Sequence, residues 1–295
     1  MPLDVPPAER REFMDNYSSL TGGKGRLMLF AGDQKVEHLN DDFHGEGISE
    51  EDGGPEHLFR IADRARIGAF ATQFGLVARY AMDHPDVPYI VKLNSKTHLV
   101  RTEQAEPLSL QWMEVDQVAE LKAENGLRIM GVGYTVYLGS EHEAVMLREA
   151  AQLVRRAHRH GLVTILWMYP RGKGVADEKD PHLIAGAAGV GAALGADFVK
   201  VNYPRGEDAA ERLREAVRAA GRTGLICSGG ERMGVEAFLQ RLHDQVHISG
   251  AVGNATGRNV HQKSLDEAVR FCNAVYAVTV DDATAEEAMR IYRDG

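Results

Sequence analysis

Lys200 lies in the stretch Gly195-Ala196-Asp197-Phe198-Val199-Lys200-Val201-Asn202-Tyr203-Pro204, flanked by apolar residues on both sides. Read with a two-residue period, Phe198, Lys200 and Asn202 share one face of a strand, and Val199 and Val201 take the other. Burying an ammonium is expensive, and one escape is loss of the proton, which leaves a neutral amine nucleophile. Such an amine attacks a carbonyl to form a Schiff base. The plainer alternative is a lysine at a strand end, reaching solvent or pairing with Asp197 or Asp33.

Two further residues fit that chemistry. Tyr169 ends an apolar run one strand earlier, at a height similar to that of Lys200, and is a candidate for moving protons to and from the substrate. Asp33 closes the first apolar run and suits carbinolamine proton transfer or the holding of substrate hydroxyls. An ion pair of Asp33 with Lys35 or Lys92 is the alternative.

A phosphate site is suggested by Ser228-Gly229-Gly230 and by the later Gly257-Arg258-Asn259. Glycines let backbone N–H groups crowd an anion, and a following helix N-terminus adds partial positive charge. Arg258 adds a fixed charge on a forked donor. Together with Lys200, these loops describe Schiff-base chemistry on a phosphorylated ketone or aldehyde. Glu37, His38, Asp41, Asp42, His44 and Glu46 carry ligand types, but their spacing matches no tight metal template, and a solvated loop without metal is expected.

The elements that must position these residues alternate between strand and helix. Strand-like runs begin at Arg26, Ala69, Tyr89, Ile129, Val163, Ala196, Gly224 and Ile248, the last being Ile248-Ser249-Gly250-Ala251-Val252-Gly253. Helices are expected over 55–67, 141–160, 181–194, 207–220 and 264–278, with 34–54 as a long loop. The runs are apolar without clean alternation, as in a parallel sheet covered on both faces. Eight such units fit a (β/α)8 barrel, a TIM barrel, with an open doubly wound sheet as the alternative. Residues 1–25 form an arm or helix ahead of a single domain spanning 26–295. In such a barrel the site sits at the C-terminal strand ends, where Lys92, Asn94, Tyr134, Tyr137 and Trp167 also gather.

With 295 residues, 44% of them hydrophobic, the chain can bury a large core. A formal charge of −9 argues against a nucleic-acid surface. No apolar run reaches membrane-span length, and 1–11 is too charged for a signal peptide, so a soluble cytoplasmic protein is expected. Cys227 and Cys272 sit in apolar surroundings that suit reduced thiols.

The strings Leu166-Trp167-Met168-Tyr169-Pro170-Arg171-Gly172, Asp197-Phe198-Val199-Lys200-Val201, Cys227-Ser228-Gly229-Gly230 and Gly257-Arg258-Asn259, taken in order, resemble the archaeal-type class I fructose-bisphosphate aldolases. Lys92-Leu93-Asn94-Ser95-Lys96-Thr97 and Gly133-Tyr134-Thr135-Val136-Tyr137-Leu138-Gly139-Ser140 match as well. The resemblance implies a TIM barrel that cleaves fructose 1,6-bisphosphate to dihydroxyacetone phosphate and glyceraldehyde 3-phosphate. It implies Lys200 as the Schiff-base lysine, Tyr169 as general acid/base, Trp167 as a wall of the site and Asp33 close to the substrate. It also implies phosphate binding at Ser228, Gly229, Gly230, Gly257 and Arg258, no cofactor or metal, and a homo-oligomer, in this family often a decamer. Two departures stand beside the site: Asp33-Gln34-Lys35 where the family commonly has Asp-His-Gly, and a last loop lengthened by Asn254-Ala255-Thr256. A related Schiff-base aldolase of the aminodideoxyheptulosonate synthase type, a metal-dependent phosphosugar enzyme and a non-catalytic phosphosugar-binding protein remain as alternatives.

Overall fold

The structure is a computed structural model that describes residues 1–99 and 106–295. Eight parallel strands close into a barrel in sequence order: β1 (Leu27–Ala31), β2 (Ala69–Gln73), β3 (Tyr89–Lys92), β4 (Ile129–Leu138), β5 (Val163–Pro170), β6 (Phe198–Val201), β7 (Gly224–Ser228) and β8 (Gly253–Thr256). β8 pairs with β1 through Leu27↔Gly253 to Phe30↔Thr256, which seals the sheet. Helices cover the outside and side chains fill the inside, so nearly every strand position is buried. That double burial explains the continuous apolar runs.

Local signals set the helix ends. The helix Pro181–Ala193 starts with Asp180 accepting from the N–H groups of His182 and Leu183, with Pro181 in the first turn, where its missing N–H costs nothing. The helix Glu143–His158 carries Glu143 in its first turn and Arg155, Arg156 and His158 in its last, matching the helix dipole.

Residues 1–25 include a helix, Arg10–Leu20, that buries Phe13, Asn16 and Leu20. Tyr17 stacks on Phe198 of β6 at 5.4 Å, and the Asn16 amide donates to Gly161 O at 2.8 Å. Nearby, the buried His158 ring bridges Asp4 (2.8 Å) and Asp197 (3.2 Å). Burial alone would lower the His158 pKa, but the two carboxylates outweigh it and the pKa is raised.

Several sequence expectations are corrected. Residues 248–252 are not the last strand, which is the more polar Gly253–Thr256. Asn254 donates to Thr279 at 2.6 Å, and Thr256 donates to Asn254 at 2.8 Å, so the polar side chains of β8 satisfy one another inside the packing. Asn254-Ala255-Thr256 therefore adds no loop length: Gly257 follows directly on the strand. The stretch 34–54 contains a short helix, Gln34–Glu37, and a 3-10 turn, Glu50–Gly53. The helix expected over 207–220 breaks at Leu213 into Ala209–Arg212 and Arg214–Ala220. Helices Phe74–Tyr80, Val115–Asn125 and Ala285–Asp294 were not anticipated. Among the described residues, no helix is long and apolar enough to cross a membrane.

Candidate active site

Lys200, Tyr169, Asp33, Trp167, Ser228, Gly229, Gly230, Gly257 and Arg258 all line one cavity of about 210 Å³. Sequence reasoning drew them from five strands or the loops after them, and barrel closure brings them together. Strand register explains the core of the arrangement, since Trp167 of β5 stands beside Lys200 of β6.

Lys200 is 5% exposed, and among the described residues its amine makes no hydrogen bond or ion pair. Nζ lies 5.1 Å from the centroid of the Trp167 ring, and Nζ of a second buried lysine, Lys92, lies 4.8 Å from it. Lys92 is the better satisfied of the two, donating to Thr135 Oγ1 (2.7 Å) and Asn94 O (3.1 Å) and standing 3.5 Å from Asp33 Oδ2. Asp33 thus takes the ion-pair role with Lys92 while still lining the cavity. Burial pushes the Lys200 pKa down. Lys92 and Arg258 push the same way, Asp33 and Glu37 oppose, and the net shift is downward. The neutral amine needed for addition to a carbonyl is thus more accessible than in a solvent-exposed lysine.

A positive charge beside Lys200 favours its neutral form, which gives a test of the pair. In Lys92→Met the Lys200 pKa is expected to rise, so the acid limb of the kcat/KM profile moves to higher pH. A limb that stays in place would show that Lys92 does not act on Lys200.

Room for this cluster comes from Gly133 on β4. A Cβ there would stand 2.5 Å from Trp167 and 3.2 Å from Lys92. Gly133→Ala is expected to lose about 1–3 kcal/mol of stability in a urea titration, and to lose kcat as Trp167 shifts. Unchanged stability and rate would refute that packing role.

Tyr169 is buried, and among the described residues its hydroxyl has no hydrogen-bond partner. Burial, reinforced by the charges of Glu37 and Asp33, raises its pKa well above the ordinary phenol, so it is held as a proton donor. Three other polar atoms of the cavity wall are buried with no hydrogen-bond partner: Asp33 Oδ1, Trp167 Nε1 and Arg258 Nε. Unsatisfied buried polar atoms are uncommon, and their convergence on one cavity marks a ligand site.

On the opposite strands, Ser228 ends β7 and its hydroxyl lies 3.4 Å from Asn202 Oδ1. The Gly229 N–H is taken by Ala255 O (2.8 Å), so the backbone donors that this loop can turn to an anion begin at Gly230. Arg241 and Asn259 brace the loop by donating to Gly229 O. Arg258 stands 3.5 Å from Asp42.

The stretch 37–46 is not simply solvated. Asp42 and Phe43 are buried, and Glu37 and His38 line the cavity. Glu37, His38 and His98 bring possible ligand atoms within 4.8 Å of one another. The same Glu37 oxygen also meets Arg171 at 3.4 Å and His98 at 3.1 Å, so a guanidinium already stands at that carboxylate. Burial would raise the Glu37 pKa, but His98, Lys92 and Arg171 hold it far below the usual carboxylate range. Arg171 is fixed in turn by Glu178 through Nε at 2.6 Å and Nη2 at 2.8 Å.

Some expected residues lie elsewhere. The Tyr134 hydroxyl donates to Glu149 at 2.6 Å, away from the cavity, and Asn94 is spent on Ser109 and Thr135. Sequence reasoning gave no role to Arg171, His98, Glu178 or Lys179, which line the cavity. Glu37 could have been paired with Asp33, because positions four apart share a helix face. His98 had no such signal, since it reaches Glu37 from the loop after β3.

A closed parallel barrel with a buried lysine and a tyrosine hydroxyl at its C-terminal mouth, both without a hydrogen-bond partner among the described residues, defines a lysine-dependent (β/α)8 enzyme. Residues 27–263 match the family described as DeoC/LacD family aldolase. The chain belongs to that family. It is 59% identical over 292 residues, 99% of this chain and 94% of the relative, to the fructose-bisphosphate aldolase/6-deoxy-5-ketofructose 1-phosphate synthase of Methanocaldococcus jannaschii. Among solved structures, it is similar to the fructose-bisphosphate aldolase from Slackia heliotrinireducens, with TM-score 0.97 and 55% identity, covering 99% of this chain and 93% of that one. An archaeal fructose-1,6-bisphosphate aldolase whose catalytic lysine is covalently bound to the carbinolamine intermediate is also similar. Its TM-score is 0.78 at 30% identity, over 91% of this chain and 99% of that one.

Proposed function

We propose that this chain is a class I aldolase that reversibly cleaves fructose 1,6-bisphosphate to dihydroxyacetone phosphate and glyceraldehyde 3-phosphate, with Lys200 as the Schiff-base residue. The observation that carries the reading is a buried lysine with no partner among the described residues, in a cavity whose walls hold unsatisfied polar atoms. The names of the relatives support the substrate.

Neutral Lys200 Nζ adds to the ketose C2, and loss of water gives an iminium. The C3–C4 bond electrons flow into that iminium to give an enamine, while the C4 hydroxyl gives up its proton and the aldehyde leaves. Protonation at C3 and hydrolysis then release dihydroxyacetone phosphate and the free amine. In the synthetic direction the Tyr169 phenol protonates the nascent C4 oxygen and becomes a phenolate; in cleavage the C4 hydroxyl gives its proton to that phenolate, and the regenerated phenol protonates C3 of the enamine. Asp33 assists proton transfer at the carbinolamine, Trp167 walls the iminium, and Ser228, Gly230, Gly257 and Arg258 hold the phosphate of the dihydroxyacetone half; Gly229, expected among them, has its N–H bonded to Ala255 O and shapes the loop instead. No metal or cofactor takes part in these steps. The chain acts as a cytoplasmic homo-oligomer with 26–295 as its catalytic domain, an assembly that light scattering of the purified protein tests.

The M. jannaschii relative's name carries a second activity, which supports a second reading of the same site. Retro-aldol cleavage of 6-deoxy-5-ketofructose 1-phosphate at C3–C4 gives dihydroxyacetone phosphate and 2-oxopropanal. One enamine on Lys200 would serve both reactions, and only the aldehyde differs.

The test is borohydride reduction in the presence of dihydroxyacetone phosphate, followed by peptide mass spectrometry, with EDTA present in a parallel sample. A reduced adduct on Lys200, formed equally with chelator, is expected. No adduct on any lysine, or turnover lost to EDTA, would sink the Schiff-base reading. Supplying either glyceraldehyde 3-phosphate or 2-oxopropanal to the same enzyme separates the two products.

A further inference from the structure

Behind the cavity lies a buried polar chain that the reaction above does not use. His261, in the short helix Arg258–His261, and Asp52, in the turn Glu50–Gly53, both have fully buried side chains. His261 Nδ1 meets Asp52 Oδ2 at 2.7 Å, and His261 Nε2 meets Gln34 Oε1 at 3.2 Å. Phe43 stacks flat on the imidazole at 4.6 Å, and the His57 ring holds the His261 carbonyl at 3.0 Å, so ring and backbone are both fixed. Keeping a carboxylate and an imidazole out of water is costly unless their bonds are made, and among the described residues the pair reaches the cavity through Gln34.

Gln34 follows Asp33 and reaches across to β8. Its amide lies against Gly257, where any Cβ would collide with Oε1, Nε2 and Cδ together. With Oε1 turned to His261, the amide NH2 makes no hydrogen bond among the described residues, and Gln34 lines the cavity beside Gly257 and Arg258. Arg258 Nε is the neighbouring donor with no partner. Two uncommitted donors adjoining on one wall suit an oxyanion better than a hydroxyl or an apolar group.

We propose that Gln34 is a specificity residue that donates its amide N–H to the phosphoryl group on the dihydroxyacetone half of the substrate, with the buried Asp52–His261 pair as positioning residues that orient the amide. The inference rests on the Schiff-base aldolase reading. The amide occupies the position after Asp33 at which this chain has Gln34-Lys35. The pair decides which end of the amide faces the ligand: an imidazolium that donates from Nδ1 to Asp52 and from Nε2 to Oε1 leaves the NH2 outward, whereas a neutral ring donating only to Asp52 would turn the carbonyl outward.

The test compares a phosphorylated with a phosphate-free ligand in Gln34→Met, which keeps the shape of the side chain and removes both amide functions. KM for fructose 1,6-bisphosphate is expected to rise about tenfold or more, with kcat held within about threefold. Borohydride trapping of unphosphorylated dihydroxyacetone on Lys200 should keep the same concentration dependence as in the parent. His261→Leu should raise KM in the same direction, and the double variant should cost little more than Gln34→Met alone, because the two act as one unit. If His261→Leu fails to fold, the Gln34→Met comparison still decides. An unchanged KM overturns the proposal, as does equal weakening of both ligands. A KM that falls overturns it too, because the carbonyl end would then be facing the phosphate. Failure of the aldolase reading itself would look different: the parent enzyme would show no adduct on Lys200 with either ligand.

Discussion

Lys200→Met is expected to lower kcat for fructose 1,6-bisphosphate cleavage by roughly 10⁴-fold or more, because the other lysines described at or beside the cavity are ion-paired, Lys92 with Asp33 and Lys179 with Glu231. Lys92 lies on the same tryptophan, but its ammonium is held by Thr135, Asn94 and Asp33, whereas Lys200 has no such partners. The borohydride adduct should vanish with the activity. Stability should move the other way. Methionine fills nearly the same volume, and the variant no longer holds an amine in a site that disfavours its charged form. A thermal midpoint equal to or above that of the parent, together with lost turnover, is the expected pair. Residual activity above about 1%, or an adduct that forms on another lysine, would remove Lys200 from the mechanism.

Tyr169→Phe tests the second half of the chemistry. Removing a positioned proton donor is expected to cost about 10²- to 10⁴-fold in kcat, while adduct formation with dihydroxyacetone phosphate stays intact, because addition and dehydration precede the C–C step. The pH behaviour has a definite sign. Burial and the nearby Glu37 and Asp33 charges raise the tyrosine pKa well above ordinary, so its phenol stays protonated through neutral pH. The loss in Tyr169→Phe should therefore be of constant size from about pH 6 to pH 9. Because the hydroxyl has no hydrogen-bond partner among the described residues, the substitution should leave stability within about 0.5 kcal/mol. A deficit that grows or shrinks with pH, or a variant that no longer traps ligand, would give Tyr169 another role.

The barrel and the core of its site were legible because double burial writes itself into sequence as apolar runs, and because Lys200 interrupts one of them. β5 was read from Val163 to Pro170, the span it occupies. β8 was misplaced for a physical reason: Ile248 to Val252 has the apolar composition of a strand, while the true strand hides Asn254 and Thr256 in a polar pair that no hydropathy pattern reveals. The helix Val115–Asn125 buries only Val115 and Val118, so its apolar stripe is thin. The helix Ala285–Asp294, in contrast, announces itself with Thr284 and Glu287 capping each other, a signal present in the sequence and not used. The Glu37–His98–Arg171 cluster was illegible because its members follow three different strands, β1, β3 and β5, and meet only when the barrel closes. Asp52, His261 and Gln34 belong to the same class of hidden partnership.

The pairing of β8 with β1 bears on how the chain is made. During synthesis the amino-terminal strands emerge first. Yet the first strand's outer edge stays open until residues 253–256 arrive, and Gly257 and Arg258, proposed to hold the phosphate, come later still. No amino-terminal fragment, however long, can hold substrate until that last strand is in place. Competence should therefore arrive late and all at once, and a chain halted between residues 201 and 252 should carry its lysine in a barrel that is not yet sealed.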